Sequence, residues 1–327
     1  MSEIENNKML IFGGTGSLGN KLVEKYIKNN KLYVYSRDED KHWNMKIKFN
    51  NNENLEFIIG DVINENKISK TIIRIDPDII IIASAMKHVD YCELNVDECI
   101  NTNLLGIKNI LNAIEVNNKS LNLKTVVFIS TDKACSPINT YGMAKAISEQ
   151  LMIEKSVLIP NKKFVCVRYG NVLNSRGSII PLLHKLGNDP TIDNFLLTDE
   201  NMTRFVMTLE ESVNLIEHAI IDGDSGDIIV SELISMKVKD LLEIFSEKYN
   251  KPIINVGIRP GEKLLESLIN ETQSLRLVKK EKYYYIKSIF YCKKNKIQPN
   301  EIKDYNSKIN PLTKEELKIY LNNLNLL

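Results

Sequence analysis

A phenol and an ammonium stand four residues apart at Tyr141 and Lys145. At this spacing two side chains lie on one face of a helix, one turn apart. The nearby cation favours phenolate, so the tyrosine can exchange a proton with an alcohol while a hydride moves to a cofactor. Because such pairs are also common on solvated helix faces, their assignment as redox residues depends on the sequence that precedes them.

That sequence contains a glycine loop between a predicted strand and a predicted helix. Glycines at three-residue spacing let the backbone turn tightly and approach a pyrophosphate, while the following helix N-terminus supplies N–H donors and positive potential. In this context the loop predicts a dinucleotide site rather than a plain turn. The residues expected to hold the pyrophosphate are Gly13, Gly16, Ser17, Leu18 and Gly19.

The end of the second predicted strand distinguishes NAD from NADP, because an acidic residue there binds the ribose 2′-hydroxyl and an arginine accommodates a 2′-phosphate. Here Arg37 and Lys41 favour NADP, with Ser36 as a hydrogen-bond donor. The acidic residues at 38–40 weaken this preference unless they solvate the loop or cap the next helix. The remaining predicted cofactor contacts are Asp61, Val62, Ala83, Tyr141 and Lys145.

A sheet is needed to position these residues, and six short apolar runs alternate with longer amphipathic segments. The runs are continuously apolar, as in a parallel sheet covered on both faces, and they predict an α/β, doubly wound (Rossmann) fold. The predicted strands are Met9–Gly13, Leu32–Ser36, Leu55–Ile59, Asp78–Ala83, Thr125–Ser130 and Phe164–Arg168. The predicted helices include Lys21–Ile27, a stripe of Ile100, Leu104, Ile107, Leu111 and Ile114, and a segment from about Thr140 to Ile159.

Turn-forming residues become frequent after Arg168. We therefore predict an NADP-binding domain over residues 1–170 and a mainly substrate-binding region with a C-terminal tail over residues 171–327. A strand-like Asp227–Ser231 and a helical Val238–Tyr249 are expected to rejoin the sheet, at about 225–250. The tail is predicted to end in a helix, Thr313–Asn323, just after Pro311.

Composition narrows the class of protein. The net charge is +1, from 43 basic and 42 acidic residues, so no overall field favours nucleic acid or an anionic membrane. Five scattered cysteines show no metal-ligand spacing with the four histidines, which predicts reduced thiols and no metal. The polar N-terminus and the absence of a long apolar run predict a cytoplasmic location.

The order of several motifs resembles the extended short-chain dehydrogenase/reductases, and more narrowly the inverting UDP-N-acetylglucosamine 4,6-dehydratases, over about residues 8 to 270. The resemblance rests on Gly13-x-x-Gly16-x-x-Gly19, Ser36-Arg37-Asp38-Glu39, Gly60-Asp61-Val62, Lys87-His88-Val89, Ser130-Thr131-Asp132-Lys133, Tyr141-x-x-x-Lys145, Arg168-Tyr169-Gly170-Asn171-Val172, Ser175-Arg176-Gly177-Ser178, Met202-Thr203-Arg204-Phe205 and Arg259-Pro260-Gly261-Glu262-Lys263.

The segment Thr131-Asp132-Lys133 is the most specific part of this resemblance, because retaining 4,6-dehydratases carry Asp-Glu at this point and 4-epimerases generally carry neither. The resemblance implies that Asp132 is the acid at C6 of the sugar, while Tyr141 and Lys145 are the redox pair at C4. Lys133 is the candidate base at C5, and its pKa is expected to fall through burial and the neighbouring Lys145. The alternative is that Asp132 and Lys133 form only a salt bridge.

The resemblance also implies a UDP-sugar substrate and a homo-oligomer, either a dimer or a dimer-based hexamer. Arginine and amide donors suit a diphosphate, and a carboxylate suits a ribose diol. The candidate substrate-binding residues are Lys87, Thr131, Asn171, Thr198, Arg204, Arg259 and Glu262. The alternative functions are a nucleotide-sugar 4-epimerase that uses Tyr141 and Lys145, and a non-catalytic NADP-sensing protein.

Overall fold

The computed structural model describes residues 4–293, 295, 297 and 302–327. The strands are β1 (Lys8–Phe12), β2 (Lys31–Ser36), β3 (Leu55–Ile59), β4 (Ile79–Ile82), β5 (Thr125–Ile129), β6 (Lys163–Val167), β7 (Asn171–Val172), β8 (Phe195–Leu197), β9 (Thr203–Met207), β10 (Ile228–Ser231), β11 (Ile234–Lys237), β12 (Ile253–Asn255), β13 (Ser267–Ile269), β14 (Leu277–Lys280), β15 (Tyr283–Ile286), β16 (Tyr305–Asn306) and β17 (Pro311–Leu312).

The helices are α1 (Ser17–Tyr26), α2 (Glu39–Lys48), α3 (Glu65–Ile75), α4 (Val89–Leu94), α5 (Val96–Ile100), α6 (Gly106–Val116), α7 (Thr140–Leu158), α8 (Ile179–Asn188), α9 (Leu209–Asp222), α10 (Val238–Tyr249), α11 (Glu271–Ser274), α12 (Ile289–Cys292) and α13 (Lys314–Asn323). A π-helical turn, Asn101–Leu105, joins α5 to α6, and a 3₁₀ turn, Asp132–Ala134, follows β5.

The main sheet confirms the predicted Rossmann architecture. Within the described residues it contains nine strands in the order β14-β15-β10-β6-β5-β4-β1-β2-β3. The seven strands from β10 to β3 pair in parallel, and β15 and β14 extend the β10 edge in antiparallel fashion. All four isoleucines of β4 are buried, as expected for a strand covered on both faces.

The second half of the chain contributes to both layers of the structure. Strand β10 joins the main sheet beside β6, and the tail strands β14 and β15 lie beyond it. The short strands β7, β9, β11 and β17 form a separate sheet, over which α8, α10 and α13 pack a smaller apolar cluster. The division near residue 170 stays a prediction. Among the described residues, no helix has the length and apolar character needed to span a membrane.

The predicted stripe from Ile100 to Ile114 is wrong at its N-terminal end. The π-helical turn inserts an extra residue into the helix and rotates the following side chains around the axis. Ile107, Leu111 and Ile114 are therefore fully buried, whereas Ile100 is 36% exposed. The strands and α7 and α10 lie within one or two residues of their predicted bounds.

Candidate active site

The glycine loop turns directly from β1 into α1. Gly13 has a φ of +79°, and a Cβ atom there would lie 2.6 Å from the backbone nitrogen of Ser84. A Cβ atom on Gly19 would lie 2.0 Å from the carbonyl oxygen of Gly14, so the helix packs against the loop with no room for a side chain. Gly16 precedes Ser17 at the N-terminus of α1, whose first N–H groups have no partners within the helix. The loop therefore has the shape and polarity of a pyrophosphate cradle.

The acidic and basic side chains at the end of β2 have different partners. Asp38 accepts a hydrogen bond from the Lys41 backbone at 3.0 Å and forms an ion pair with its side chain, so it caps α2. The capping alternative for this acid is thus confirmed. Arg37 is exposed and reaches Asp61 at 3.3 Å. Arg37 is therefore available to a ligand, while Lys41 is partly engaged by Asp38.

Two residues that the sequence analysis missed support Ser36. The Oγ atom of Ser36 lies 3.0 Å from Thr15 Oγ1 and 2.8 Å from Nε2 of His42. His42 is buried, which lowers its pKa and keeps the imidazole neutral. No sequence motif indicates this buried histidine, which is the fourth residue of α2.

The other predicted cofactor residues occupy less open positions. The Val62 side chain packs in the core against Gly106, and its carbonyl oxygen accepts a hydrogen bond from Asn109 at 3.1 Å. Leu18 and Ala83 are partly buried against the core beneath the loop. These side chains hold the cleft together, whereas Asp61 lies beside Arg37 at its rim.

Tyr141 and Lys145 both lie on α7 with their side chains buried. Lys145 Nζ donates a hydrogen bond to the Ile129 carbonyl oxygen at 2.8 Å and lies over the ring of Phe128. Burial lowers the pKa of Lys145 to about 8. Burial and the Asp132 carboxylate raise the pKa of Tyr141, while a hydrogen bond with Thr131 opposes them. In the free protein, burial and the Asp132 carboxylate therefore oppose the phenolate that Lys145 is expected to promote.

The 3₁₀ turn after β5 brings Asp132 and Lys133 beside Tyr141. Lys133 Nζ lies 3.0 Å from Asp132 Oδ1 and 3.4 Å from Oε1 of Glu266. Asp132 is fully buried, and within the described residues its Oδ2 atom has no hydrogen-bond partner. The predicted fall in the Lys133 pKa is wrong for the free protein. Burial and the Arg204 charge lower this pKa, but the Asp132 and Glu266 carboxylates together raise it above its ordinary value.

Glu266 is the acidic residue of this site that the sequence analysis missed. It is buried, and burial raises its pKa despite the neighbouring Lys133. In the sequence, Glu266 lies three residues beyond Lys263, which is the last residue of the motif that begins at Arg259. Only the fold places Glu266 opposite a turn more than a hundred residues earlier in the chain.

The C-terminal segment also contacts the residues that follow the 3₁₀ turn Asp132–Ala134, the candidate catalytic turn. Lys263 Nζ donates a hydrogen bond to the Cys135 carbonyl oxygen at 2.9 Å, and Asn139 Nδ2 donates one to the Gly261 carbonyl oxygen at 2.8 Å. Asn139 caps α7, so the helix that carries Tyr141 and Lys145 begins against this segment. The active site is thus built between the sheet and the chain from 261 to 274.

The π-helical turn positions the loop after β4. Asn103 accepts a hydrogen bond from the Met86 backbone nitrogen at 2.8 Å and donates one to its carbonyl oxygen at 2.9 Å. Its own carbonyl oxygen accepts a hydrogen bond from Ser148 of α7 at 2.9 Å. Lys87 follows this loop and donates a hydrogen bond to the carbonyl oxygen of Arg176. The turn therefore connects α7 to the loop that carries Lys87.

The predicted substrate-binding residues divide into two groups. Thr131 and Arg204 lie at the catalytic turn: the Thr131 hydroxyl donates to Asp132 at 2.9 Å, and the Arg204 charge acts on Lys133 and Glu266. Arg259 and Glu262 form an ion pair of 2.8 Å in the loop after β12. The others lie apart: Asn171 is in β7, Lys87 is bonded to the 174–178 loop, and Thr198 is buried with its hydroxyl 3.8 Å from the Met202 sulfur.

Comparisons with known proteins agree with this geometry. Residues 9–288 match the family described as polysaccharide biosynthesis protein. A UDP-glucose 4-epimerase of Rickettsia prowazekii (strain Madrid E) is 40% identical over 293 residues, which cover 85% of this chain and 82% of that protein. A UDP-N-acetylglucosamine 4,6-dehydratase (inverting) of Campylobacter jejuni subsp. jejuni serotype O:2 is 37% identical over 329 residues, covering 95% of each. The X-ray structure of Pen from Bacillus thuringiensis has a TM-score of 0.90 and 29% identity, covering 99% of each chain. The resemblance predicted from the motifs is confirmed.

Proposed function

Since the chain belongs to the polysaccharide biosynthesis protein family, we propose that it is an NADP-dependent UDP-N-acetylglucosamine 4,6-dehydratase that inverts C5. Its product is a UDP-2-acetamido-2,6-dideoxy-hexos-4-ulose. One observation carries the proposal: the Lys133 amine lies 3.0 Å from the buried Asp132 carboxyl, at the turn that also contacts Tyr141. A dehydratase needs a base and an acid beside its redox tyrosine, whereas a simple redox enzyme needs only the tyrosine.

The residues of the cleft fit a nicotinamide dinucleotide. Gly13 and Gly19 let the loop and α1 pack backbone against backbone, α1 presents its N-terminus, and Arg37 stands exposed where a 2′-phosphate would lie. NADP held there would supply the acceptor for a hydride from C4 of the sugar and the donor of that hydride to C6. Tyr141 takes the proton of the C4 hydroxyl, and Lys145 supplies the nearby positive charge that favours its phenolate in the filled site.

Asp132 and Lys133 carry out the elimination. Oxidation at C4 makes the C5 proton acidic, and Lys133 Nζ removes it in the neutral form. Asp132, in its protonated form, gives a proton to the C6 hydroxyl as the C6–O bond breaks and water leaves. Transfer of one proton from Lys133 to Asp132 produces both reactive forms at once, since the two atoms are already within hydrogen-bond distance. Addition of the hydride to C6 and of a solvent-derived proton to the opposite face of C5 completes the product and inverts that centre.

The remaining candidate residues bind the UDP-sugar. We assign Arg204 and Thr131 to the sugar end beside the catalytic turn, and the Arg259–Glu262 pair to the diphosphate and ribose. Lys87 and Asn171 are proposed to contact the substrate from the loops after β4 and β6. Thr198 is assigned with the least support, because its hydroxyl faces the Met202 sulfur.

Proton NMR in deuterated water tests the proposal directly. Incubation of the protein with NADP and UDP-N-acetylglucosamine should give a product that lacks the C6 hydroxyl and carries deuterium at an inverted C5. Lys133→Ala should keep NADP binding and lose the dehydration by about 10³-fold or more. Unchanged turnover in Lys133→Ala would remove Lys133 from its assigned role.

A UDP-glucose 4-epimerase is the second candidate, because relatives 40% identical to this chain bear that name. It would use Tyr141 and Lys145 in the same way but would leave the C6 hydroxyl in place. The same NMR experiment with UDP-glucose separates the two, since a C4 epimer that keeps its C6 hydroxyl and exchanges no proton at C5 establishes the epimerase.

We further propose that a second copy of the chain covers the outer surface of α4, α5 and α7, in a dimer or a dimer-based hexamer. Large apolar side chains are exposed there, namely Tyr91, Leu94, Val96, Met143 and Ile147. Such an apolar surface is typical of a subunit interface. Sedimentation of the purified protein measures the number of subunits.

A further inference from the structure

We propose that Glu266 is a positioning residue for Lys133: its carboxylate orients the Lys133 amine and stabilises the ammonium that forms when Lys133 removes the C5 proton. This inference rests on the proposed function. The geometry that supports it is the contact of 3.4 Å between Lys133 Nζ and Glu266 Oε1, in addition to the contact of 3.0 Å with Asp132 Oδ1.

The division of labour between the two carboxyl groups requires such a partner. Asp132 must hold a proton in order to give it to the departing C6 hydroxyl, so it cannot also neutralise the ammonium of Lys133. The other charged groups that face Lys133 are Arg204 from β9 and, beyond Glu266, Lys263, and both are cations. Glu266 is therefore the carboxylate left to stabilise the protonated base.

The backbone of Glu266 is fixed firmly enough for this task. Its N–H donates to the Ser307 hydroxyl at 3.0 Å, and its carbonyl oxygen accepts from the Ser307 backbone at 2.8 Å. The Ser307 hydroxyl also lies 2.7 Å from Thr203 Oγ1, at the start of the strand that carries Arg204. The Glu266 carboxylate is thereby held between the tail and β9, with little freedom to move away from Lys133.

Glu266→Gln tests the inference because it keeps the shape and removes the charge. We expect kcat to fall by roughly 10- to 100-fold, while KM for UDP-N-acetylglucosamine stays within about twofold. Because Glu266 raises the pKa of Lys133, the rise of kcat with pH should move to lower pH in Glu266→Gln. Glu266→Asp retains the charge and should keep the wild-type pH profile while recovering part of kcat.

Asp227→Asn is a matched control. Asp227 is as buried as Glu266 and forms an ion pair of 2.8 Å with Lys287, away from the catalytic turn. Its loss should lower the melting temperature without moving the pH profile of kcat. A Glu266→Gln enzyme with wild-type kcat and pH profile overturns the inference, and so does a rise in KM at constant kcat.

A labelling experiment separates this inference from the proposed function. Trace acetic anhydride modifies neutral amines, and mass spectrometry of the Lys133 peptide gives the labelling rate as a function of pH without any substrate. The apparent pKa of Lys133 should be lower in Glu266→Gln than in the wild type, and an equal value overturns the inference. If the pKa falls but the wild-type protein does not convert UDP-N-acetylglucosamine, Glu266 holds Lys133 and the proposed function fails.

Discussion

Two buried ionic clusters lie at neighbouring strand ends of the sheet, one around Arg168 after β6 and one around Lys133 after β5. Arg168 donates to both carboxylate oxygens of Glu149, at 3.0 and 2.6 Å, and to the Leu268 carbonyl oxygen at 2.7 Å. In the second cluster, one carboxylate oxygen each of Asp132 and Glu266 has no hydrogen-bond partner among the described residues.

Under the proposed function, this difference separates an ion pair that supports the structure from one arranged for proton transfer. Every contact of Arg168 joins elements that must stay together, since Glu149 is on α7 and Leu268 is in β13. A buried carboxylate oxygen without a partner is unfavourable unless a ligand or a proton reaches it. Glu266 Oε2 still lies 3.5 Å from Lys263 Nζ, so Asp132 Oδ2 is the open acceptor of this cluster, at the place where the proposed reaction would move protons.

The largest expected effect on stability comes from breaking the satisfied cluster. Arg168→Met leaves the Glu149 carboxylate buried without its cation and should lower the free energy of unfolding by about 3–5 kcal/mol. In the double variant Arg168→Met/Glu149→Leu both partners are apolar, so most of this loss should be recovered. Urea denaturation followed by circular dichroism measures both variants.

The double variant also tests whether the Arg168–Glu149 ion pair has a structural role. Glu149 accepts a hydrogen bond from Ser130 as well, at 2.5 Å, so recovery will be incomplete by the value of that bond. If Arg168→Met alone leaves the free energy of unfolding unchanged, the Arg168 cluster does not hold these elements together.

The sequence was sufficient where the information is local. The glycine loop, the strands, the cap at Asp38 and the Tyr141–Lys145 spacing all depend on residues close together in the chain, so their patterns predicted them correctly. The family resemblance also singled out Asp132 and Lys133, which the fold brings into contact.

The missed and mistaken features depend on long-range contacts. The Lys133 pKa was predicted to fall through burial and the neighbouring Lys145, but the adjacent Asp132 carboxylate and Glu266, which arrives from the C-terminal segment, together raise it. The pKa of Tyr141 was likewise set by burial and Asp132. The π-helical turn follows from the contacts of Asn103 with Met86 and Ser148, for which no short motif exists.

A smaller effect is expected from Lys145, a buried cation that is hydrogen-bonded to a carbonyl oxygen instead of a carboxylate. Its pKa is about 8 in the folded protein against 10.5 as the ordinary value, so between these pH values the unfolded chain binds a proton that the folded chain has lost. The free energy of unfolding attributable to Lys145 should therefore rise with pH across this window, by up to about 3 kcal/mol.

The difference in unfolding free energy between wild type and Lys145→Met, measured in urea at several pH values, isolates this contribution. The difference should be constant below pH 7 and should shift in favour of the wild type above pH 8. A difference independent of pH would show that the cost of burying the Lys145 charge is offset as fully as that of Arg168. The contrast between paired and unpaired buried cations would then be lost.

The smallest effect concerns an exposed ion pair, Arg37–Asp61, which completes the comparison because exposed pairs contribute little to stability. Arg37 can therefore exchange Asp61 for a cofactor phosphate with little penalty. Arg37→Gln should weaken NADP binding by about tenfold, leave NAD binding and the melting temperature unchanged, and thereby decide between the two cofactors. Trp43, the single tryptophan and an exposed residue of α2, gives the fluorescence signal for the titration.

Arg74→Gln removes a similar exposed pair, with Glu56, and should change neither affinity. Equal losses of NADP and NAD binding in Arg37→Gln would mean that Arg37 contacts a part common to both cofactors instead of the 2′-phosphate.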